Sequence, residues 1–302
     1  MIFTIAIPTY NDGETVRKAV LSAVNQNFYL NYEILVVNNC STDHTAEILG
    51  EFSQRIRIIT NPKTVSLVDN HNICLKEATG NYILFCHSDD KLLDDALTKI
   101  YRMLVVRGFP SRYVLWGRSM FRDFHACWKR TGVHLDQVSA GIDTIKAFLS
   151  MGLTPSGTCF SRKSFLETGG FIKTDRTIAP TDMITMWKLV LRQFEMEMTS
   201  KIYFIREYAS TAQNLSLDDW IEAKTEAVCK FMEACQDGEA EQFRAAIKET
   251  RSNSFDTYIA FKKNGLIPKR LLTRNFFIFL AKQPIQIFSF HNFLIFKKIL
   301  SA

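Results

Sequence analysis

Two hydrophobic periods alternate through the first hundred residues. "FTIAIPTY", residues 3–10, is apolar, rich in β-branched residues and closed near Pro8, and predicts a strand. "DGETVRKAVLSAVNQ" follows, with Val16, Ala19, Val20, Ala23 and Val24 at helical spacing. "YEILVVNN" predicts a second strand, and "STDHTAEILGEF" a helix with Ser41 or Thr42 as N-cap. "IRIITN" predicts a third strand, "SLVDNHNICLKEAT" a helix closed by Gly80, and "YILFCH" a fourth strand. Strands this uniformly apolar, joined by helices, predict an α/β fold whose mostly parallel sheet is covered on both faces. Right-handed crossovers then bring every strand C-terminus to one edge, where open α/β sheets bind ligands.

Beyond residue 110 the pattern is less regular. "YVLWGRSMF" predicts a strand, "GIDTIKAFLSMG" a helix, and "TPSGTCFSRKSFLETGGF" a strand, helix and turn closed by Gly169 and Gly170. "PTDMITMWKLVLRQF" predicts a helix with Thr181 as N-cap and Asp182 in its first turn. From Leu217 the text is helical, with Ser216 as cap, which divides the chain into an α/β domain over 1–216 and a helical region over 217–302.

The composition, 47% apolar and 23% charged, is that of a folded globular chain and changes little. The charge distribution changes more. Of a net +6, eight basic residues fall between Lys262 and Lys298, and no acid follows Asp256. Such a tail points to an anionic surface. Within it, Gln283 to Phe296 is uncharged but too short to span a membrane and is broken by Pro284. Its phenylalanines either lie in a membrane headgroup region or pack onto the α/β domain or a second subunit, giving a homo-oligomer. Seven scattered cysteines without C-x-x-C spacing read as reduced thiols, and the opening "MIFTIAIPTY" lacks a signal peptide's basic start. Both point to the cytoplasm, with peripheral attachment to the inner membrane if the tail binds lipid.

The strand ends carry the candidate chemistry. They read "PTYND", "NNCSTD", "TNPKT" and "HSDDK", each polar after an apolar strand. Adjacent carboxylates at Asp89 and Asp90 repel unless a cation, hydrogen bonds or water absorb their charge. They fit a metal-nucleotide site, a solvated turn, or the capped start of a helix in "DDKLLDDAL".

"IAIPTYNDGETVRKAVLSAVNQ", "EILVVNNCSTDHT", "EATGNYILFCHSDD", "SRKSFLETGGF" and "PTDMITMWKLVL" together resemble family 2 glycosyltransferases, in order and spacing, over residues 2–216. The resemblance implies a GT-A fold and inverting transfer of one sugar from a nucleotide-sugar donor, with a UDP-sugar favoured. It implies Mg²⁺ or Mn²⁺ at Asp89 and Asp90. It also implies a donor pocket from Pro8, Thr9, Tyr10, Asn11, Asn38, Asn39, His71, Asn72, His87, Ser88 and Asp89, and a general base at Asp182. Asp175 is the alternative base. Three departures stand out: His87 where the family usually has an acid, Asn38-Asn39 for its acidic pair, and only Gln213 or Asn214 near its late histidine. The processive synthases' Q-x-x-R-W motif is missing, which favours single-sugar transfer. With a membrane-bound tail, a lipid-linked saccharide of bacterial surface polysaccharide synthesis is the natural acceptor.

Two other readings compete. A catalytically silent nucleotide-sugar-binding or scaffold protein would account for the departures. A nucleotidyltransferase would need a glycine-rich basic loop after the first strand, and "PTYNDGET" has one glycine and no base. Nucleic-acid binding is disfavoured by the acidic pocket edge.

Overall fold

The computed structural model describes residues 1–119, 135–141, 144–145, 148–149, 154–176, 179–206, 215–249, 255–274 and 297. Four parallel strands come first, each where the apolar pattern predicts it: β1 (Phe3–Thr9), β2 (Glu33–Asn38), β3 (Arg57–Thr60) and β4 (Tyr82–Phe85). They lie in the order β3-β2-β1-β4, and crossovers through α1 (Val16–Val24), α2 (Thr45–Gly50) and α3 (Leu67–Glu77) return the chain each time to the same edge. All five apolar positions read for α1 are buried. All five are alanine or valine, and such small side chains let a helix settle close on a sheet.

Local chemistry moved two boundaries. Neither Ser41 nor Thr42 caps α2, because the Ser41 hydroxyl accepts the Asn11 N–H at 3.0 Å and the Asn11 carboxamide oxygen accepts the Thr42 N–H at 2.8 Å. Asp43 instead accepts the Thr45 N–H at 3.0 Å, and α2 begins later. Nor does Gly80 close α3, whose last residue is Glu77. Gly80 serves a close approach: a Cβ there would sit 2.5 Å from the backbone of Phe3 and Thr4. Gly80→Ala should therefore lose about 1–3 kcal/mol of unfolding free energy in urea titrations through overpacking against main chain.

After β4 the sheet becomes mixed. The described residues add β5 (Asp90–Leu92), β6 (Tyr113–Ser119), β7 (Val138–Ser139), β8 (Thr158–Ser161) and β9 (Glu195–Arg206). The order runs on from β4 as β8-β6-β9-β5, with β7 beside β9. β8 is antiparallel to β4 and β6, and β5 is antiparallel to β9. The helix α4 (Ala96–Arg107) begins six residues after Asp90, and Asp90 itself pairs in β5. This removes helix capping as the reason for the acidic pair. The helix α5 (Arg162–Glu167) follows β8.

By contact the chain divides into two units. The sheet and α1 to α5 lie in the first, Met1–Ala140, Leu153–Phe171 and Arg192–Ser210. The second, Gly141–Gly152, Ile172–Leu191 and Thr211–Ala302, takes in residues on both sides of the division expected at 216. It holds α6 (Thr181–Leu191), α7 (Leu217–Ala234), α8 (Glu239–Glu249) and α9 (Phe255–Lys263). Thr181 is the first residue of α6 rather than its cap, while Ser216 caps α7 as expected, accepting the Asp219 N–H at 3.1 Å. Trp187 centres the second unit's core against Phe231, Phe243 and Phe261. No helix among the described residues is long and apolar enough to cross a membrane. Gln213, Asn214 and the segment Gln283 to Phe296 lie outside the described residues.

Candidate active site

The C-terminal ends of β1, β2 and β4 converge, and an acid that the sequence reading passed over ties them together. Asp12 reads in "NDGET" as a helix-capping residue, and its carbonyl does accept the Thr15 and Val16 N–H groups. Its carboxylate has another role. One oxygen accepts the Tyr10 N–H at 3.0 Å, the Thr9 hydroxyl at 3.1 Å and the hydroxyl of Ser88 from the acidic turn. Asp12 thus fixes the β1 loop to the turn after β4. Thr9 and Ser88 are buried and face this carboxylate, and Pro8 is buried in the ladder with β2. Tyr10, just past the end of β1, is 47% exposed.

The two asparagines at the end of β2, Asn38 its last residue and Asn39 the next, serve the loop scaffold. The Asn39 amide donates to the Val65 carbonyl at 2.9 Å, and its oxygen accepts from the Val65 N–H and from the Asn61 amide. Asn38 is 1% exposed, and its oxygen accepts the Ser41 N–H at 3.1 Å. Both lone pairs of the Asn39 oxygen are thereby engaged within the loops. Asn11 takes a left-handed conformation, φ 54°, and bridges to Ser41 and Thr42.

On α3 Asn70 and His71 of the "NHN" triplet face the sheet, the Asn70 amide donating to the Val37 carbonyl at 3.2 Å and His71 stacking on Phe85. Asn72 does not end at the site edge: its amide donates to the Phe171 carbonyl at 3.0 Å and its oxygen accepts the Phe171 N–H at 2.8 Å. This reciprocal pair seats the "TGGF" turn. It also accounts for Gly170, which sits at φ 69° and whose Cβ would lie 2.3 Å from the Asn72 oxygen. His71 is 3% exposed, and its Nδ1–H donates to the Leu67 carbonyl at 2.8 Å. Burial lowers its pKa to about 4.

The acidic turn closes through the Asp90 N–H, which donates to the His87 carbonyl at 3.0 Å, while the His87 N–H donates to Ser156 at 3.1 Å. His87, Asp89 and Asp90 each offer a ligand atom, all within 4.8 Å of one another. His87 and Asp89 are partly exposed and Asp90 is buried. Burial first, then His71 and Arg206, hold the His87 imidazole well below its usual pKa, so it offers a lone pair rather than a charge. An imidazole nitrogen and two carboxylates this close make a chemically reasonable set for one divalent cation. Arg206, the partner of Asp90 across β5 and β9, brings a positive charge beside the acids. Nothing in the sequence marked it, because β9 itself was not foreseen.

The two candidate bases lie in the second unit. Asp182 stands in the first turn of α6 and is half-buried. Asp175 is a surface residue whose side chain pairs with Lys230 at 3.4 Å and whose N–H donates to Glu226.

A mixed sheet with its polar strand ends gathered at one edge and a cation-sized acidic cluster there is the GT-A architecture. Residues 4–108 match the family model "Glycosyl transferase family 2". The glycosyltransferase GlyA of Streptococcus pneumoniae serotype 4 is 37% identical over 105 residues, 34% of this chain and 15% of GlyA. The UDP-Glc:alpha-D-GlcNAc-diphosphoundecaprenol beta-1,3-glucosyltransferase WfgD of Escherichia coli is 31% identical over 113 residues, 37% of this chain and 44% of WfgD. The chain thus matches less than half the length of these curated relatives. In structure it resembles residues 1–349 of Staphylococcus aureus TarS in complex with UDP-GlcNAc. The TM-score is 0.64 at 16% identity, over 90% of this chain and 83% of that one. It also resembles the mannosyltransferase PcManGT of Pyrobaculum calidifontis in complex with GDP-Man and Mn²⁺. There the TM-score is 0.59 at 15% identity, over 99% and 86%.

Proposed function

We propose that this protein transfers one sugar, with inversion, from a nucleoside diphosphate sugar to a saccharide or lipid-linked saccharide in bacterial surface polysaccharide synthesis. The observation that carries the reading is the cluster of His87, Asp89 and Asp90 at the end of β4, braced to the β1 loop through Ser88 and Asp12. Mg²⁺ or Mn²⁺ held by these side chains would offset the charge that grows on the departing diphosphate. Tyr10 stacks on the base, and the main chain of the β1 and β2 loops lines its edge. Asp182 takes the proton from the acceptor hydroxyl as that oxygen attacks the anomeric carbon from the side opposite the diphosphate. A UDP-sugar is favoured as donor, because WfgD is named for UDP-Glc and TarS is seen with UDP-GlcNAc. WfgD's diphosphoundecaprenol-linked substrate likewise supports a lipid-linked acceptor. The basic, phenylalanine-rich tail would meet that acceptor at the cytoplasmic membrane surface.

Thermal shift across nucleoside diphosphates and their sugars, with and without Mn²⁺, tests the reading. A ligand of the folded state at about one hundred times its Kd adds about 2.7 kcal/mol. UDP should raise Tm strongly with Mn²⁺ and weakly without it. If no nucleotide moves Tm in either condition, the transferase reading fails. A shift without turnover of any donor would favour a silent binding protein.

A further inference from the structure

Two histidines sixteen residues apart meet behind the acidic turn, Nε2 to Nε2 at 3.0 Å. Two ring nitrogens at that distance share one proton, since one must donate and the other accept. The far side of His71 decides which ring owns it. Its Nδ1 lies 2.8 Å from the Leu67 carbonyl oxygen, which can only accept, so Nδ1 carries a hydrogen. The ring stacks on Phe85 at 5.4 Å and meets Phe171 edge-on at 5.6 Å, an apolar enclosure that disfavours a second proton. Nε2 of His71 therefore accepts, and the shared proton sits on Nε2 of His87. The remaining nitrogen of His87, Nδ1, is left with a bare lone pair.

We propose that His71 is a positioning residue that locks His87 in the tautomer with a bare Nδ1, so that the cation site is one nitrogen and two oxygens and favours later first-row metals over Mg²⁺. The inference rests on the cation-assisted transfer proposed above and deepens it. A nitrogen ligand is a poor match for Mg²⁺, which takes oxygen donors in a strict octahedron. It strengthens binding progressively from Mn²⁺ towards Co²⁺. The Leu67 carbonyl, His71 and His87 form the chain of outer hydrogen bonds that sets which face of a ligating imidazole points at the metal. His87 then replaces the family's usual acid with a ligand of different metal preference.

The test combines a spectrum with a titration on the full chain. Imidazole ¹⁵N–¹H spectra of the metal-free protein should place a proton on Nε2 of His87 and none on Nδ1. Calorimetric titrations with CoCl₂ and with MgCl₂, each alone and with UDP, should show tighter binding of Co²⁺. His71→Phe keeps the ring contacts but removes the acceptor. It should weaken Co²⁺ binding about 10- to 100-fold, the usual effect of losing an outer-shell partner, with a much smaller effect on Mg²⁺. His71→Gln, whose amide oxygen can accept the same proton, should recover part of the loss, and it also serves if the phenylalanine variant folds poorly. His87→Asp should move the preference towards Mg²⁺. A protonated Nδ1 on His87, or unchanged Co²⁺ affinity in folded His71→Phe and His71→Gln proteins, overturns the proposal while leaving cation-assisted transfer standing. Failure of the wild type to bind either metal with UDP overturns both.

Discussion

Asp182→Asn should lower the transfer rate about 10²- to 10⁴-fold, the range contributed by a positioned general base. It should leave the UDP and Mn²⁺ thermal shift unchanged, because the base acts on the acceptor proton and not on the donor. The alternative role of an acid in the first turn of α6 predicts the opposite pattern. Losing a favourable charge at a helix N-terminus costs about 0.3–1 kcal/mol of stability and no activity. Asparagine keeps the shape and removes the proton acceptor, so single-turnover rates with saturating donor separate the two roles. Asp175→Asn, by contrast, should retain transfer, since that carboxylate pairs with Lys230 on the surface of the second unit.

Asp89→Ala should abolish the part of nucleotide binding that depends on the metal. With UDP fixed near one hundred times the wild-type Kd, the gain of about 2.7 kcal/mol should shrink to the metal-free value. Transfer should fall about 10²- to 10³-fold, as when one stabiliser of a developing anion is removed. Asp89 is the better test position because it is half-buried, whereas Asp90 is buried in a ladder pair with Arg206. Replacing Asp90 would disturb β5 as well as the site. An Asp89→Ala protein that keeps full Mn²⁺-dependent stabilisation by UDP would remove that carboxylate from the cation site.

The parallel half of the sheet was legible because β1, β2 and β4 are buried and read as nearly continuous apolar runs. In the mixed half β6 and β8 were legible, from "YVLWGRSMF" and "TPSGTCF", but β5, β7 and β9 were not. β9 begins "EMEMTSK", a short alternation three residues after α6, whose residues 183–191 are all buried, and "DKL" is too short to carry any period. Of the site, the acidic turn and the exposed Tyr10 could be read from the letters, since each follows an apolar strand. What each polar side chain contacts could not. Asp12 reaches Ser88 76 residues away, Asn72 reaches Phe171 99 residues away, and His71 reaches His87 from a different element. Those contacts exist only once the crossovers set β1 beside β4 and pack α3 on the sheet. The local sequence of "NDG", "NHN" or "TGG" offers ordinary capping and turn chemistry instead.

Anomalous diffraction at the manganese edge, from crystals grown with UDP and MnCl₂, measures the central claim most directly. The account predicts one strong peak among the side chains of His87, Asp89 and Asp90, with diphosphate oxygens on its open side. A nucleotide bound elsewhere, or a peak at none of these three residues, would contradict it.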